Sequence, residues 1–194
     1  MALNISMENI EPNAALLIID VQHGFDSSAW GPSTNPQCEA NVEKLAEAWE
    51  KSDRPIVVVR HDSPKEGSPL APGTEGNMLK DFVAALDPAL KIGKSVNSVF
   101  YGTPDLQEWL GAQGISQFVV CGIQTNMCVE TTARMGGNLG YQVVVPIDAT
   151  RTFDLKGPDG TTTSADELMR TTATNLHGGG FATVTSTSEL LAAL

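Results

Sequence analysis

Short apolar runs alternate with longer amphipathic ones through most of this 194-residue chain. Six runs predict strands: "AALLIID" closing at Asp20, "PIVVVR" closing at Arg60, "ALKIGK" near Lys94, "QFVVCG" closing at Gly122, "QVVVPI" closing at Ile147, and "FATVTS" near Ser186. Several carry no polar alternation, the pattern of a strand covered on both faces in a parallel sheet. Between them, "CEANVEKLAEAWEKS" sets Val42, Leu45, Ala46 and Trp49 at helical spacing and predicts an amphipathic helix. "TPDLQEWLGAQG" predicts another, with Thr103 as N-cap, Pro104 in the first helical position and a stop at Gly111 or Gly114. "STSELLAAL" holds a capping box in Ser186 and Glu189. Only residues 22–36, 61–76 and 148–163 read as long irregular stretches. Alternating strand and helix patterns predict one α/β domain in three layers, with no repeat or linker.

Composition narrows the class. The length suits a single domain over 1–194 with a substantial core. No segment has the apolar length to span a bilayer, so no membrane partner is expected. The start, "MALNISMENIEPNAALLIID", lacks a basic region ahead of an apolar segment and reads as carrying no export signal. Lys and Arg total 12 against 23 acidic residues, a formal charge of -11 that disfavours nucleic acid. Three cysteines, none in a C-x-x-C pair, fit a reducing, cytoplasmic compartment, give no support to a zinc ribbon and argue against structural disulfides.

Ligands of open α/β sheets bind beyond the carboxyl ends of the strands, so residues that finish strands are read first. Asp20 closes the first strand, Lys94 follows the third, and Cys128 lies a few residues past the fourth, in the first turn of the helix "NMCVETTARM". Each also has a plainer reading: a turn residue, a solvated lysine, a small buried hydrophobe. Together they make a coherent chemical set. A helix N-terminus and a nearby ammonium favour a thiolate nucleophile, and a carboxylate can accept its proton and return it to a leaving group.

Three motifs in this order, "LLIIDVQHGF" around Asp20, "KSVNSVFYGTPDL" from Lys94 and "CGIQTNMCV" ending past Cys128, resemble the isochorismatase-like cysteine hydrolases. That family includes nicotinamidases and N-carbamoylsarcosine amidohydrolase, and the match runs from about Ala14 to about Val184, nearly the whole domain. The resemblance implies an α/β/α fold with a six-stranded parallel, Rossmann-like sheet, and an Asp20, Lys94, Cys128 triad. It selects Lys94 over Lys91, which is left on the surface. It further implies a cis peptide from Ile123 to Gln124 and an oxyanion hole from the backbone N–H groups of Gln124 and Cys128. The implied activity is hydrolysis of the C–N bond of a small amide, ureido or carbamoyl compound through a thioester, with no cofactor. Cys121, inside an apolar strand, reads as core. Cys38, at a helix start, could also favour a thiolate but shows no carboxylate and lysine converging on it.

Phe25 and Trp30 in the loop after Asp20, and Phe100 after Lys94, stand where the family's pocket presents aromatic side chains, or else pack the loop. Arg151 follows the fifth strand and could bind a substrate carboxylate or be solvated. Family nicotinamidases hold a metal through Asp-x-His after the second strand plus a further histidine. Here that stretch reads "VVVRHDSPKEGSPLAPG", with His61 then Asp62 and no other histidine before His177, so no ready-made metal site is expected. His61 reads as a loop hydrogen-bonding residue. Two rival functions remain: an isochorismatase that cleaves a vinyl ether by acid chemistry, and a non-catalytic small-molecule binding module. Resemblance and the small residues of "TTARMGGNLG" suggest a homo-oligomer.

Overall fold

The computed structural model describes residues 10–194; the reading of the chain's start as free of an export signal falls partly on residues 1–9, outside that range. Strands β1 (Ala15–Ile19), β2 (Ile56–His61), β3 (Leu90–Lys94), β4 (Gln117–Ile123) and β5 (Gln142–Pro146) occupy the first five predicted runs. The sixth forms β9 (Thr183–Thr185), after two-residue strands β6 (Thr150–Arg151), β7 (Leu155–Lys156) and β8 (Thr162–Thr163). The main sheet runs β3-β2-β1-β4-β5-β9, every pair parallel, with β6 added beside β4 beyond the end of β5. The stretch 148–163, expected to be irregular, therefore supplies β6 and an antiparallel β7–β8 hairpin. Runs of two residues are too short to leave a periodic signal in the sequence.

Helices α1 (Cys38–Lys51) and α6 (Thr187–Ala192) lie on one face; α3 (Leu106–Ala112), α4 (Glu130–Asn138) and α5 (Ala165–Gly178) lie on the other, and α2 (Asp81–Ala84) is a single turn. Successive β1 side chains serve both cores. Leu16 and Ile18 join Val42, Leu45 and Trp49 of α1, while Ala15, Leu17 and Ile19 join Leu106, Leu110, Val129 and Leu176. This two-sided burial is why the strand reads as an uninterrupted apolar run. Trp49 is fully buried and donates from its indole N–H to the Ala14 carbonyl at 2.9 Å. The capping box of α6 forms as expected, and Ser164 with Glu167 makes a second at the start of α5. No helix of the described residues is long and apolar enough to cross a membrane.

One predicted cap moves. Thr103 exchanges backbone hydrogen bonds with Gly93 of β3, at 2.9 and 3.0 Å, and Pro104 precedes the helix through a cis bond. Asp105 caps α3 instead, accepting from the Glu108 N–H at 2.9 Å. In "RMGGNLG" the first two glycines serve packing within the chain: a Cβ on Gly136 would lie 2.4 Å from the Phe118 ring, and one on Gly137 2.4 Å from the Phe181 carbonyl.

Gly122 of β4 leaves no room for a side chain against β1. It has a φ of +115°, and an added Cβ would fall 2.1 Å from the Ile19 carbonyl oxygen. Gly122→Ala must therefore part the two central strands, and we expect a loss of at least about 1–3 kcal/mol, the usual range for overpacking. Urea unfolding checks this; an unchanged midpoint and slope would contradict the contact.

Candidate active site

The carboxyl ends of β1, β2, β3 and β4 converge on one cleft. Asp20 follows β1 directly with a φ of 52°, a left-handed conformation that Asp tolerates better than most residues. Lys94 ends β3 and pairs in register with His61 at the end of β2. Cys128 lies beyond β4 in the wide turn Thr125–Val129, where the Val129 N–H reaches back five residues to the Gln124 carbonyl, and α4 follows.

Three residues singled out from the sequence come together here. The Lys94 ammonium donates to Asp20 Oδ2 at 2.6 Å, and neither side chain is exposed to solvent. A carboxylate oxygen of Asp20, a ring nitrogen of His61 and Cys128 Sγ all lie within 4.8 Å of one another. Asp20 Oδ1 is buried and has no hydrogen-bond partner among the described residues. Burial raises the Asp20 pKa against the opposing pull of Lys94. Burial, reinforced by the Asp20 charge, pushes the Cys128 thiol up to about 12. The thiolate expected from a helix N-terminus and a lysine is thus outweighed, and the resting thiol keeps its proton.

The predicted cis peptide from Ile123 to Gln124 is present, and Gln124 lines the same cavity as Cys128. That cavity, about 280 Å³, is walled by Phe25, Trp30, Phe153, Leu70, Met127 and Leu155. Phe25 and Trp30 thus stand where the sequence suggested, joined by Phe153, which was not anticipated. The three rings pack at centroid separations of 5.1, 5.6 and 6.1 Å. Phe153 lies in the stretch whose short strands left no pattern; an aromatic side chain in a loop at the strands' carboxyl end was the available signal.

Two expected pocket residues lie elsewhere. Phe100 is buried in the core against Phe118 and Tyr141, with ring centroids 6.2 and 6.1 Å away. The apolar residues around it outweigh its closeness in sequence to Lys94. Arg151 is turned away from the cavity: its guanidinium binds Glu39 at 3.1 Å and Asp26 at 3.4 Å and lies over the Phe153 ring at 5.3 Å. Lys80 bridges the same two carboxylates at 2.7 and 2.8 Å. Arg151 is thus neutralised behind the aromatic wall.

His61 and Asn97 were missed. His61, read as a loop residue, is half-buried in the cleft, and its Nδ1 lies 3.2 Å from the Lys94 ammonium. Its place at the end of a strand was the overlooked signal. Asn97, on the loop after Lys94, places Oδ1 3.9 Å from Cys128 Sγ. Asp62 is held by Arg60 in a two-point contact at 2.8 and 3.1 Å and by Asn77 at 3.0 Å. Cys121 and Cys38 are core residues, and burial drives the Cys38 pKa up to about 12, against the thiolate that its helix-start position would favour.

The donor set Asp20, His61 and Cys128 does not suit a metal ion. The Lys94 ammonium already bonds Asp20 and His61, and a second cation there would meet its charge at contact distance.

Known proteins bear on this arrangement. The isochorismatase domain family matches residues 14–189. The isochorismatase family protein YrdC of Bacillus subtilis is 36% identical over 182 residues, covering 94% of this chain and 96% of its own length. Nicotinamidase 3 of Arabidopsis thaliana is 31% identical over 185 residues, covering 87% and 84%. A crystal structure of an isochorismatase-family protein from Chromobacterium violaceum superposes with a TM-score of 0.88 at 37% identity, covering 94% of each chain. With its parallel sheet flanked by helices on both sides and its family match spanning nearly the whole chain, this protein belongs to the isochorismatase family of hydrolases.

Proposed function

We propose that this hydrolase cleaves the C–N bond of a small amide, ureido or carbamoyl compound through a thioester on Cys128. The observation that carries the reading is the buried Asp20–Lys94 ion pair, with a carboxylate oxygen of Asp20 within 4.8 Å of Cys128 Sγ and Asp20 Oδ1 without a hydrogen-bond partner among the described residues. Asp20 takes the thiol proton as sulfur bonds to the substrate carbonyl carbon. The backbone N–H groups of Gln124 and Cys128 receive the tetrahedral oxyanion. Asp20 then gives the proton to the leaving nitrogen as the C–N bond breaks. Water attacks the thioester, Asp20 accepts its proton, and that proton returns to the departing sulfur. Lys94 favours the ionised carboxylate against the burial that raises its pKa. A raised Asp20 pKa makes the same group a stronger base and a competent acid, which the two halves of the cycle require in turn. The apolar, ring-lined cavity with Arg151 neutralised outside it favours an uncharged acyl group over a carboxylate-bearing one. A vinyl-ether hydrolase would have no use for a thiol at the centre of the cleft.

Cys128→Ala should cut turnover by on the order of 10⁴-fold or more with the fold intact. Asp20→Asn should be nearly as damaging, and the double mutant scarcely worse than either. Release of ammonia or amine over a panel of amides, ureas and carbamoyl compounds provides the assay, and mass spectrometry of quenched enzyme seeks the acyl adduct on Cys128. An active amidase that kept its rate in Cys128→Ala would overturn the mechanism.

Because the resting thiol is protonated, alkylation of Cys128 by iodoacetamide should keep rising with pH through the ordinary thiol range near about 8.5. A plateau near neutrality, read on the Cys128 peptide, would reveal a preformed thiolate. The Lys94 ammonium also predicts that activity survives dialysis against a strong chelator. Loss restored by added zinc, iron or manganese would show that the activity needs a metal and overturn this expectation.

A further inference from the structure

The mechanism above uses one of the two hydrogen bonds that Lys94 makes. The second runs to His61 Nδ1 at 3.2 Å. An ammonium donates and never accepts, so Nδ1 must present its lone pair, and the ring must be neutral with its hydrogen on Nε2.

The backbone of His61 is held as firmly as its ring. The side chain of Gln22, fully buried, accepts from the His61 N–H at 2.9 Å and donates to the His61 carbonyl at 3.1 Å. Asn77, 5% exposed, donates to the same carbonyl at 3.0 Å. Two buried amides serve one strand end, and β2–β3 pairing sets that strand end beside Lys94. The ring itself lines the catalytic cavity.

We propose that His61 is a positioning residue: a neutral imidazole that accepts from Lys94 and fixes the ammonium on Asp20 Oδ2, leaving Oδ1 open to the Cys128 thiol. The assignment rests on the cysteine hydrolase reading for its purpose, though not for its geometry. Without His61, the ammonium has one anchor and is free to swing between the two carboxylate oxygens or towards sulfur. Bridging both oxygens would occupy the lone pair that the thiol proton needs.

The charged surroundings favour the neutral ring. Burial and the Lys94 ammonium lower the His61 pKa, outweighing the opposite pull of Asp20 and of Asp62, which Arg60 already pairs. Cys128, the remaining titratable group at the ring, is a neutral thiol.

Nitrogen-15 correlation spectra of the imidazole at neutral pH test the geometry without any substrate. The expected result is a neutral His61 with hydrogen on Nε2. In Lys94→Met its pKa should rise and the tautomer preference should relax. Hydrogen on Nδ1, or a charged ring at neutral pH, overturns the proposal. Kinetics test the purpose, using the fastest amide of the panel. His61→Ala should lower kcat about 10–100-fold with KM unchanged, as for side chains that orient a reacting group through one intermediary. His61→Asn, whose Oδ1 can stand in for Nδ1, should recover most of that loss. Equal losses in the two variants, or a change confined to KM, overturn the positioning role even if the cysteine mechanism holds. Conversely, a fully active Cys128→Ala would remove the mechanism while the spectra still decide the state of His61.

Discussion

Everything in the cleft is arranged around two opposite charges taken wholly out of water. Removing a carboxylate and an ammonium from solvent costs several kcal/mol each, and their attraction compensates only when geometry is close and remaining donors and acceptors are filled. The Asp20–Lys94 contact at 2.6 Å meets the first condition, and His61 fills a second donor of the ammonium. Asp20 Oδ1, without a hydrogen-bond partner among the described residues, fails the second condition. An orphaned acceptor of this kind costs roughly 1–3 kcal/mol, so the pair makes little sense as a stabilising device. It fits the proposed mechanism, in which one lone pair of the carboxylate is kept for a proton.

Such a pair can exist only if the backbone delivers its members accurately. In a parallel sheet, successive strand ends lie side by side, and a shift of one residue would turn a side chain to the opposite face. The β2–β3 register sets His61 against Lys94, while β1–β4 pairing sets Ile19 against Gly122. The missing side chain at Gly122 lets β4 approach β1 closely enough that the turn bearing Cys128 begins beside Asp20. Gln22 and Asn77 tie the loops after β1 and after β2 to the same strand end. Precision at the site thus comes from backbone hydrogen bonding, much of it supplied by buried amide side chains.

Around this polar centre the cavity is apolar. Phe25, Trp30 and Phe153 line the cleft with apolar surface, and an apolar lining strengthens electrostatic contacts beside it. Behind that wall, Arg151 and Lys80 face Asp26 and Glu39, two cations against two anions, and join the loop after β1 to the start of α1 and to β6. The cluster braces the wall from outside and brings no free charge to the ligand side.

The sequence by itself determined the six main strands, the amphipathic α1, the capping box of α6 and the family motifs carrying Asp20, Lys94 and Cys128. These are local or periodic signals: burial on both faces leaves an unbroken apolar run, and strand ends mark where a ligand can reach. Tertiary structure decided what depends on competition between distant groups. Thr103 looked like a cap, but its backbone was already engaged by Gly93 of β3. Phe100 belonged to a core assembled from Phe118 and Tyr141, and Arg151 was captured by Glu39 and Asp26, none of them its sequence neighbours. His61 became part of the site because β2 and β3 pair in one register. The protonation of Cys128 turned on burial, a property of the assembled molecule that residue type and spacing do not encode.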